Sequence, residues 1–320
     1  MQAVLALATD RGVCILKPGK EVSEYALHVQ AMVESRFATV MLHPNGYLYA
    51  GSVGSMAFRS RDGSNWEALY EGLKNNVYSL LGHPNAPDVI YAGTTPAALY
   101  KSENAGRSWR RLESFGRVPG ADSWTYPEAP YMPRVKALVH HPTMENVLFA
   151  GISIGGLVAS LDAGATWTER HGGLSRDITS LAIHPDQPGR IYAATNSGFC
   201  RSEDLGGTWQ RFTQGMPWTF VECVAADSED PDRLMAAVHQ SPQGGGASLF
   251  RSTDGGRTWQ ISYEGLPGMS DRRVTGLHAS KGCFFIGTDK GDVFGTSNHG
   301  ERWQRLGANL PPVRGLCSLA

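Results

Sequence analysis

SLDAGATW (Ser160–Trp167), SEDLGGTW (Ser202–Trp209) and STDGGRTW (Ser252–Trp259) are three full copies of one phrase. Looser copies read SRDGSNW (Ser60–Trp66), SENAGRSW (Ser102–Trp109) and TSNHGERW (Thr296–Trp303). Successive tryptophans stand 43, 58, 42, 50 and 44 residues apart, the period of a propeller blade of four short strands. A length of 320 residues would alone suggest about two domains. The repeat overrides that expectation, because a blade cannot bury its faces singly and must stack with its neighbours into a ring.

The phrase has a mechanical reading. Asp or Asn at the third position can accept bonds from the turn backbone, Gly at the fifth can take positive φ, and the Ser and Thr hydroxyls can tie the two ends of a hairpin together. The Trp then opens the next strand with its ring packed inward. In these residues the chain resembles the Asp-box, S-x-D-x-G-x-T-W, of sialidases, sortilin-type receptors, xyloglucanases and photosystem II stability/assembly factors. The resemblance covers most of the chain and implies a β-propeller. It implies little about function, since in those families the Asp-box lies away from the ligand site.

Composition agrees with a globular chain: 41% of the residues are hydrophobic, and the 38 Gly and 18 Pro fall at regular intervals as turn punctuation. A net charge of −1 offers no nucleic-acid footprint and no pull towards an anionic membrane. No apolar run approaches the roughly 18 residues of a membrane span. The opening MQAVLALATDRG lacks a basic n-region and a cleavage-like site, so it reads as a strand and not as a signal peptide. Cys14, Cys200, Cys223, Cys283 and Cys317 form no CxxC pair, which fits a reducing compartment and a cytoplasmic protein.

The strands nearest the channel precede each phrase. They read FATVMLHP (Phe37–Pro44), VYSLLGHP (Val77–Pro84), VKALVHHP (Val135–Pro142), ITSLAIHP (Ile178–Pro185), VECVAADS (Val221–Ser228) and VTGLHAS (Val274–Ser280). A seventh, VRGLCSLA (Val313–Ala320), has no partners downstream, while AVLALATD (Ala3–Asp10), GVCILKPG (Gly12–Gly19) and EVSEYAL (Glu21–Leu27) have no inner strand of their own. Joining them predicts an all-β, seven-bladed propeller of four-stranded antiparallel blades over residues 1–320. Its seventh blade is built from 1–27 plus 313–320, which leaves no open edge.

His43, His83, His141 and His184 each precede a Pro in the turn after an inner strand. They stand in different blades, and Asp227 fills the same slot in another, so they are expected to initiate turns and not to converge on a metal. No HExxH or phosphate-cradling glycine loop is present, and neither a metal nor a cofactor is expected.

Irregular material points to one mouth of the channel. The connection GRVPGADSWTYPEAPYMP (Gly116–Pro133) carries Trp124, Tyr126 and Tyr131, Trp218 lies in another entering connection, and HQSPQGGG (His239–Gly246) is an insertion on the same side. Aligning the inner strands places Arg36, Asn76, Arg134, Asp177, Phe220 and Arg273 in an outermost layer. The next holds Ala38, Tyr78, Lys136, Thr179, Glu222, Thr275 and Arg314, above a layer of Leu and Val. Such a polar upper half is either a mutually satisfied ion network or a pocket.

Two function classes follow. In the first, the mouth binds a small anionic or carbohydrate-like ligand, or a protein partner. Arg134, Lys136, Arg273 and Arg314 are its cations, Tyr78, Trp124, Tyr126 and Trp218 its aromatic wall, and His239 lies beside them. The alternative is a glycoside hydrolase-like or lyase-like enzyme that uses Glu222 and Asp177 in the same pocket. The sequence places binding slightly ahead of hydrolysis. The sialidase variant of the enzyme is weak, because the R-I-P phrase of that family is represented only by MPRVK around Arg134.

Overall fold

The inner strands Phe37–Leu42, Asn76–Gly82, Val135–His140, Ile178–His184, Phe220–Ala226, Val274–Ser280 and Val313–Ser318 each open an antiparallel sheet of four. The computed structural model describes residues 2–19, 25–242 and 246–319, and among them these seven sheets form a seven-bladed propeller. Blades are numbered here from the sheet that starts at Phe37. Second strands such as Leu48–Ser52 and Leu148–Ile152 are buried along their whole length. Both of their faces are covered, so they read as unbroken apolar runs instead of alternating ones.

Among the described residues there is no single central core. Seven apolar clusters are distributed one to each blade interface, from Tyr49, Val77 and Trp109 between blades 1 and 2 to Ala6, Phe37 and Val40 between blades 7 and 1. Close approach at these interfaces requires glycine. A Cβ on Gly93 would lie 2.6 Å from Val135 Cγ1 of the next blade, and one on Gly151 would lie 2.5 Å from Ile178 Cγ2.

Val313–Ser318 pairs antiparallel with Leu5–Thr9, which pairs with Gly12–Pro18, which pairs with Tyr25–Ala31. The two ends of the chain therefore share blade 7, as the strand count implies. The outermost strand differs from expectation. It runs four residues past Leu27 because the pairing Val13↔Ala31 follows the full length of its partner, and residues 20–24, where EVSEYAL was expected to begin, lie outside the described residues.

The repeated phrase folds as one hairpin turn six times. In each, the Ser or Thr hydroxyl donates to the Asp or Asn carboxyl or amide oxygen and accepts the Gly N–H, as with Ser160 Oγ to Asp162 Oδ1 at 2.8 Å and Gly164 N to Ser160 Oγ at 2.7 Å. The one-residue-short copy at Ser60 and the Thr296 copy keep both bonds. Gly164 takes φ +91° as the phrase requires, and Ala163 before it also lies in the left-handed region at φ +56°. Trp109, Trp167, Trp259 and Trp303 are buried, whereas Trp66 and Trp209 are only half-buried.

One irregularity recurs in every inner strand. The register skips a residue between Phe37 and Thr39, Val77 and Ser79, Val135 and Ala137, Ile178 and Ser180, Val221 and Cys223, Val274 and Gly276, and Val313 and Gly315. The skipped residues are Ala38, Tyr78, Lys136, Thr179, Glu222, Thr275 and Arg314. A β-bulge leaves its extra residue outside the ladder and re-aims its side chain. Seven bulges at one height thus present seven side chains to the channel.

Candidate functional site

All seven bulge residues line a cavity of about 870 Å³ at one mouth of the channel. Leu80, Leu138, Leu181 and Leu316 form its apolar floor, and Arg36, Arg134, Asp177, Phe220 and Arg273 form its rim; Asn76 is not among its walls. Hydroxyls tie neighbouring bulges together, with Thr179 Oγ1 donating to Val221 O at 2.6 Å and Thr275 Oγ1 to Val313 O at 2.5 Å.

The charges fall into two clusters, each built on one shared carboxylate. Glu222 takes Lys136 Nζ on Oε1 at 3.4 Å and Arg273 Nη2 on Oε2 at 3.1 Å. Asp10 takes Arg314 through Nε at 2.8 Å and through Nη2, and also Arg36 Nε at 2.7 Å. Asp10 is a residue that the sequence reading missed. It lies in the turn between the second and third strands of blade 7, and turns of that kind face this mouth, so its position in the chain carried the signal.

Arg134 is held differently. Its guanidinium lies 3.8 Å from the centroid of Tyr126 and 4.9 Å from that of Tyr78, and it makes no ion pair among the described residues. Its Nε is buried without a hydrogen-bond partner.

Asp177 and Glu222, from blades 4 and 5, are pushed in opposite directions. Burial raises the Asp177 carboxyl above its ordinary value; Lys136 opposes this and the Glu222 charge adds to it. Burial would raise Glu222 too, but the neighbouring charges, Lys136 first, outweigh it and hold that carboxyl below the ordinary glutamate value. Desolvation and an opposite charge account for the divergence.

Three of the residues read from the sequence do not reach the cavity walls. Trp124 is buried against Phe115, 5.3 Å between centroids, and Phe115 in turn meets Trp167 at 5.2 Å. It anchors the Gly116–Pro133 loop, whose Tyr126, Pro127 and Glu128 do line the cavity while Tyr131 is exposed. Trp218 packs half-buried against the cluster between blades 4 and 5. His239 is fully buried at the end of Leu234–His239 with its ring tilted against Phe220. Burial, helped by Arg273, pushes its pKa down to about 4, so it stands neutral behind the wall. For the two Trp rings, packing against apolar neighbours outweighs facing a wet channel. Of the His239–Gly246 insertion, Pro242 reaches the cavity and residues 243–245 lie outside the described residues.

The His-Pro histidines act as turn initiators: Nδ1 of His43, His83, His141 and His184 each accepts the N–H two residues on, and Asp227 Oδ1 does the same for Glu229. Among the described residues no group of three or more His, Cys, Asp or Glu converges as a metal site.

Sharing of carboxylates has a measurable consequence. Removing Arg273 leaves Glu222 with Lys136, and removing Arg314 leaves Asp10 with Arg36, so either Arg→Ala change should cost only about 1 kcal/mol. Glu222→Gln leaves two cations facing each other and should cost about 3 kcal/mol, as when one partner of a buried pair is deleted. Urea unfolding of the three variants checks the order. Arginine variants that lose more than Glu222→Gln would contradict it.

No family model matches the chain. It is 25% identical over 242 residues to a xyloglucanase of Hypocrea jecorina (strain QM6a), a stretch that makes up 75% of this chain and 26% of that protein. It is 22% identical over 287 residues to an oligoxyloglucan-reducing end-specific xyloglucanase of Emericella nidulans, covering 76% of this chain and 34% of that protein. The chain thus spans about a third or less of the length of these curated relatives. Among solved structures, the GH74 xyloglucanase from Xanthomonas campestris aligns with TM-score 0.65 at 18% identity, over 85% of this chain and 45% of that one. A structure of YCF48 bound to D1 peptide aligns with TM-score 0.59 at 16% identity, over 89% and 88%. At these identities the solved structures establish the β-propeller fold. No helix among the described residues is long and apolar enough to cross a membrane.

Proposed function

We propose that the chain binds a carbohydrate in this mouth and cleaves a glycosidic bond, with Asp177 as the proton donor to the leaving oxygen and Glu222 as the ionised partner. The observation that carries this reading is the pair of carboxyls on neighbouring blades, facing one cavity, with pKa values driven apart. Divergent environments are what assign acid and base roles to two carboxyls. Ionised Glu222 would stabilise positive charge at the anomeric carbon and take a proton from the attacking water, while Lys136 and Arg273 hold it in place. The xyloglucanase relatives support the hydrolytic reading over the binding one that the sequence placed first.

The test is release of new reducing ends from xyloglucan oligosaccharides and from neutral and uronate-containing oligosaccharides. Asp177→Asn and Glu222→Gln should each lower turnover per folded molecule by about 10²–10⁴-fold, the span of general acid–base contributions. Glu222 must be ionised and Asp177 protonated. The rate therefore climbs as pH rises through the Glu222 value, below the ordinary glutamate range, and declines as pH rises through the Asp177 value, above the ordinary aspartate range. Unchanged turnover in both variants would remove the pair from the chemistry.

A second reading has its own support. The chain aligns over nearly the full length of the YCF48 bound to D1 peptide but over less than half of the GH74 enzyme. In that reading the same mouth grips a protein segment, and Glu222 serves only to neutralise Lys136 and Arg273. Absence of turnover on every glycan together with peptide binding at the mouth would favour it.

A further inference from the structure

Arg36, Arg134, Lys136, Arg273 and Arg314 line the cavity, and among the described residues Arg134 alone of these five has no carboxylate at ion-pair distance. Asp10 and Glu222 each bridge two of the other four, and Asp289, which accepts the Arg273 N–H, adds its negative charge beside Arg273 and Arg314. Arg134 has no carboxylate partner among the described residues. The other acidic groups on the cavity wall are Glu128, exposed at the rim, and Asp177. A lining cation without a counter-ion favours a ligand that brings negative charge.

Arg134 is the group best placed to receive it. The rings of Tyr126 and Tyr78 hold the guanidinium without neutralising it, since an aromatic face attracts a cation yet accepts none of its in-plane N–H bonds. A stacked guanidinium keeps its edge free, and a free planar edge pairs with a carboxylate through two parallel hydrogen bonds. The Nε is enclosed, so the edge that would meet a carboxylate is the pair of Nη groups. Tyr126 comes from the inserted Gly116–Pro133 loop, so this clasp is an addition to the repeat and not part of it. Lys136, the bulge residue on the same blade, is already committed to Glu222.

We propose that Arg134, clasped between Tyr78 and Tyr126, is a subsite for the carboxylate of a hexuronate unit, so that the carbohydrate bound at this mouth is an acidic glycan. The assignment to a glycan rests on the hydrolytic reading of Asp177 and Glu222, while the demand for a carboxylate rests on Arg134, which has no ion-pair partner among the described residues.

Isothermal titration on the Asp177→Asn protein, which separates binding from cleavage, tests it. The probes are oligosaccharides that end in glucuronate, the same oligosaccharides ending in glucose, and a peptide with a free terminal carboxylate. The uronate forms should bind at least about ten-fold tighter than their neutral counterparts, the ratio that 1.4 kcal/mol produces. Adding Arg134→Ala should erase the preference, Arg134→Lys should restore part of it by returning charge without the fork, and thermal melts should confirm that both variants are folded. Tyr126→Leu should weaken the uronate forms alone. Equal affinity for the two sugar series, or a preference that survives Arg134→Ala, would overturn the proposal, as would binding of the peptide and of no uronate. Wild-type cleavage of neutral glycans without uronate preference would sink this inference and leave the hydrolytic reading standing. Arg134-dependent uronate binding without cleavage would do the reverse.

Discussion

A chain ending at Pro312 should not unfold as one cooperative transition. The missing strand, Val313–Ser318, is the inner strand of blade 7 and the partner of Leu5–Thr9. Its loss strips Val313, Leu316 and Cys317 from two interface clusters and uncovers Leu5, Leu7 and Phe285. At about 1.5–3 kcal/mol for each large apolar side chain returned to water, the loss is comparable with the 5–15 kcal/mol that holds a typical domain together. It also opens a sheet edge towards the channel, which invites association. Calorimetry and sedimentation of the shortened chain provide the measurement. A melt like that of the full chain would mean that the ring does not depend on this closure.

Trp167→Ala is expected to cost about 3–5 kcal/mol, the range for removing a large buried aromatic side chain. Trp167 is buried with Phe115, Leu112 and Val158 between blades 2 and 3. Trp209→Ala should cost less. That ring is half-buried, and its main ties are the bonds from Nε1 to Arg170 O at 2.8 Å and to Gly206 O at 3.1 Å. Neither residue lines the mouth cavity, so ligand affinity of the folded fraction should not change in either variant. Denaturant titrations alongside ligand titrations separate the two effects. Loss of binding at full stability would place the repeated turns at the site, against the geometry described here.

The strand order was legible because the signals are local. A Ser or Thr hydroxyl, an Asp or Asn side chain and a Gly within five residues close the same turn in six of the seven blades, whatever surrounds it. Alignment on the turn after each inner strand also placed Tyr78, Lys136, Glu222 and Arg314 on one level, and all four line the cavity. The aromatic residues were less legible. Trp124, Tyr126 and Tyr131 lie in one loop and share a composition, but one is buried, one faces the cavity and one is exposed. Which ring turns inward depends on the partners it finds: Phe115 stands immediately before the loop, but Trp167, against which Phe115 packs, comes from the next blade.

By itself, the sequence determined the blade count, the six stapled turns, the sharing of blade 7 by both ends and the height at which the polar side chains stand, because each follows from short-range hydrogen bonding and from periodicity. Only the tertiary structure decided how those side chains are employed. The bulges that turn Lys136, Glu222 and Arg314 into the channel are a matter of register between strands, and no single strand encodes them. The pairing of Arg314 with Asp10 spans almost the entire chain and exists only because the ring closes. Arg134 was left without a carboxylate for the same reason. Ion pairs are set by distances across the channel, and those distances depend on how seven blades pack, a quantity that residue order states only indirectly.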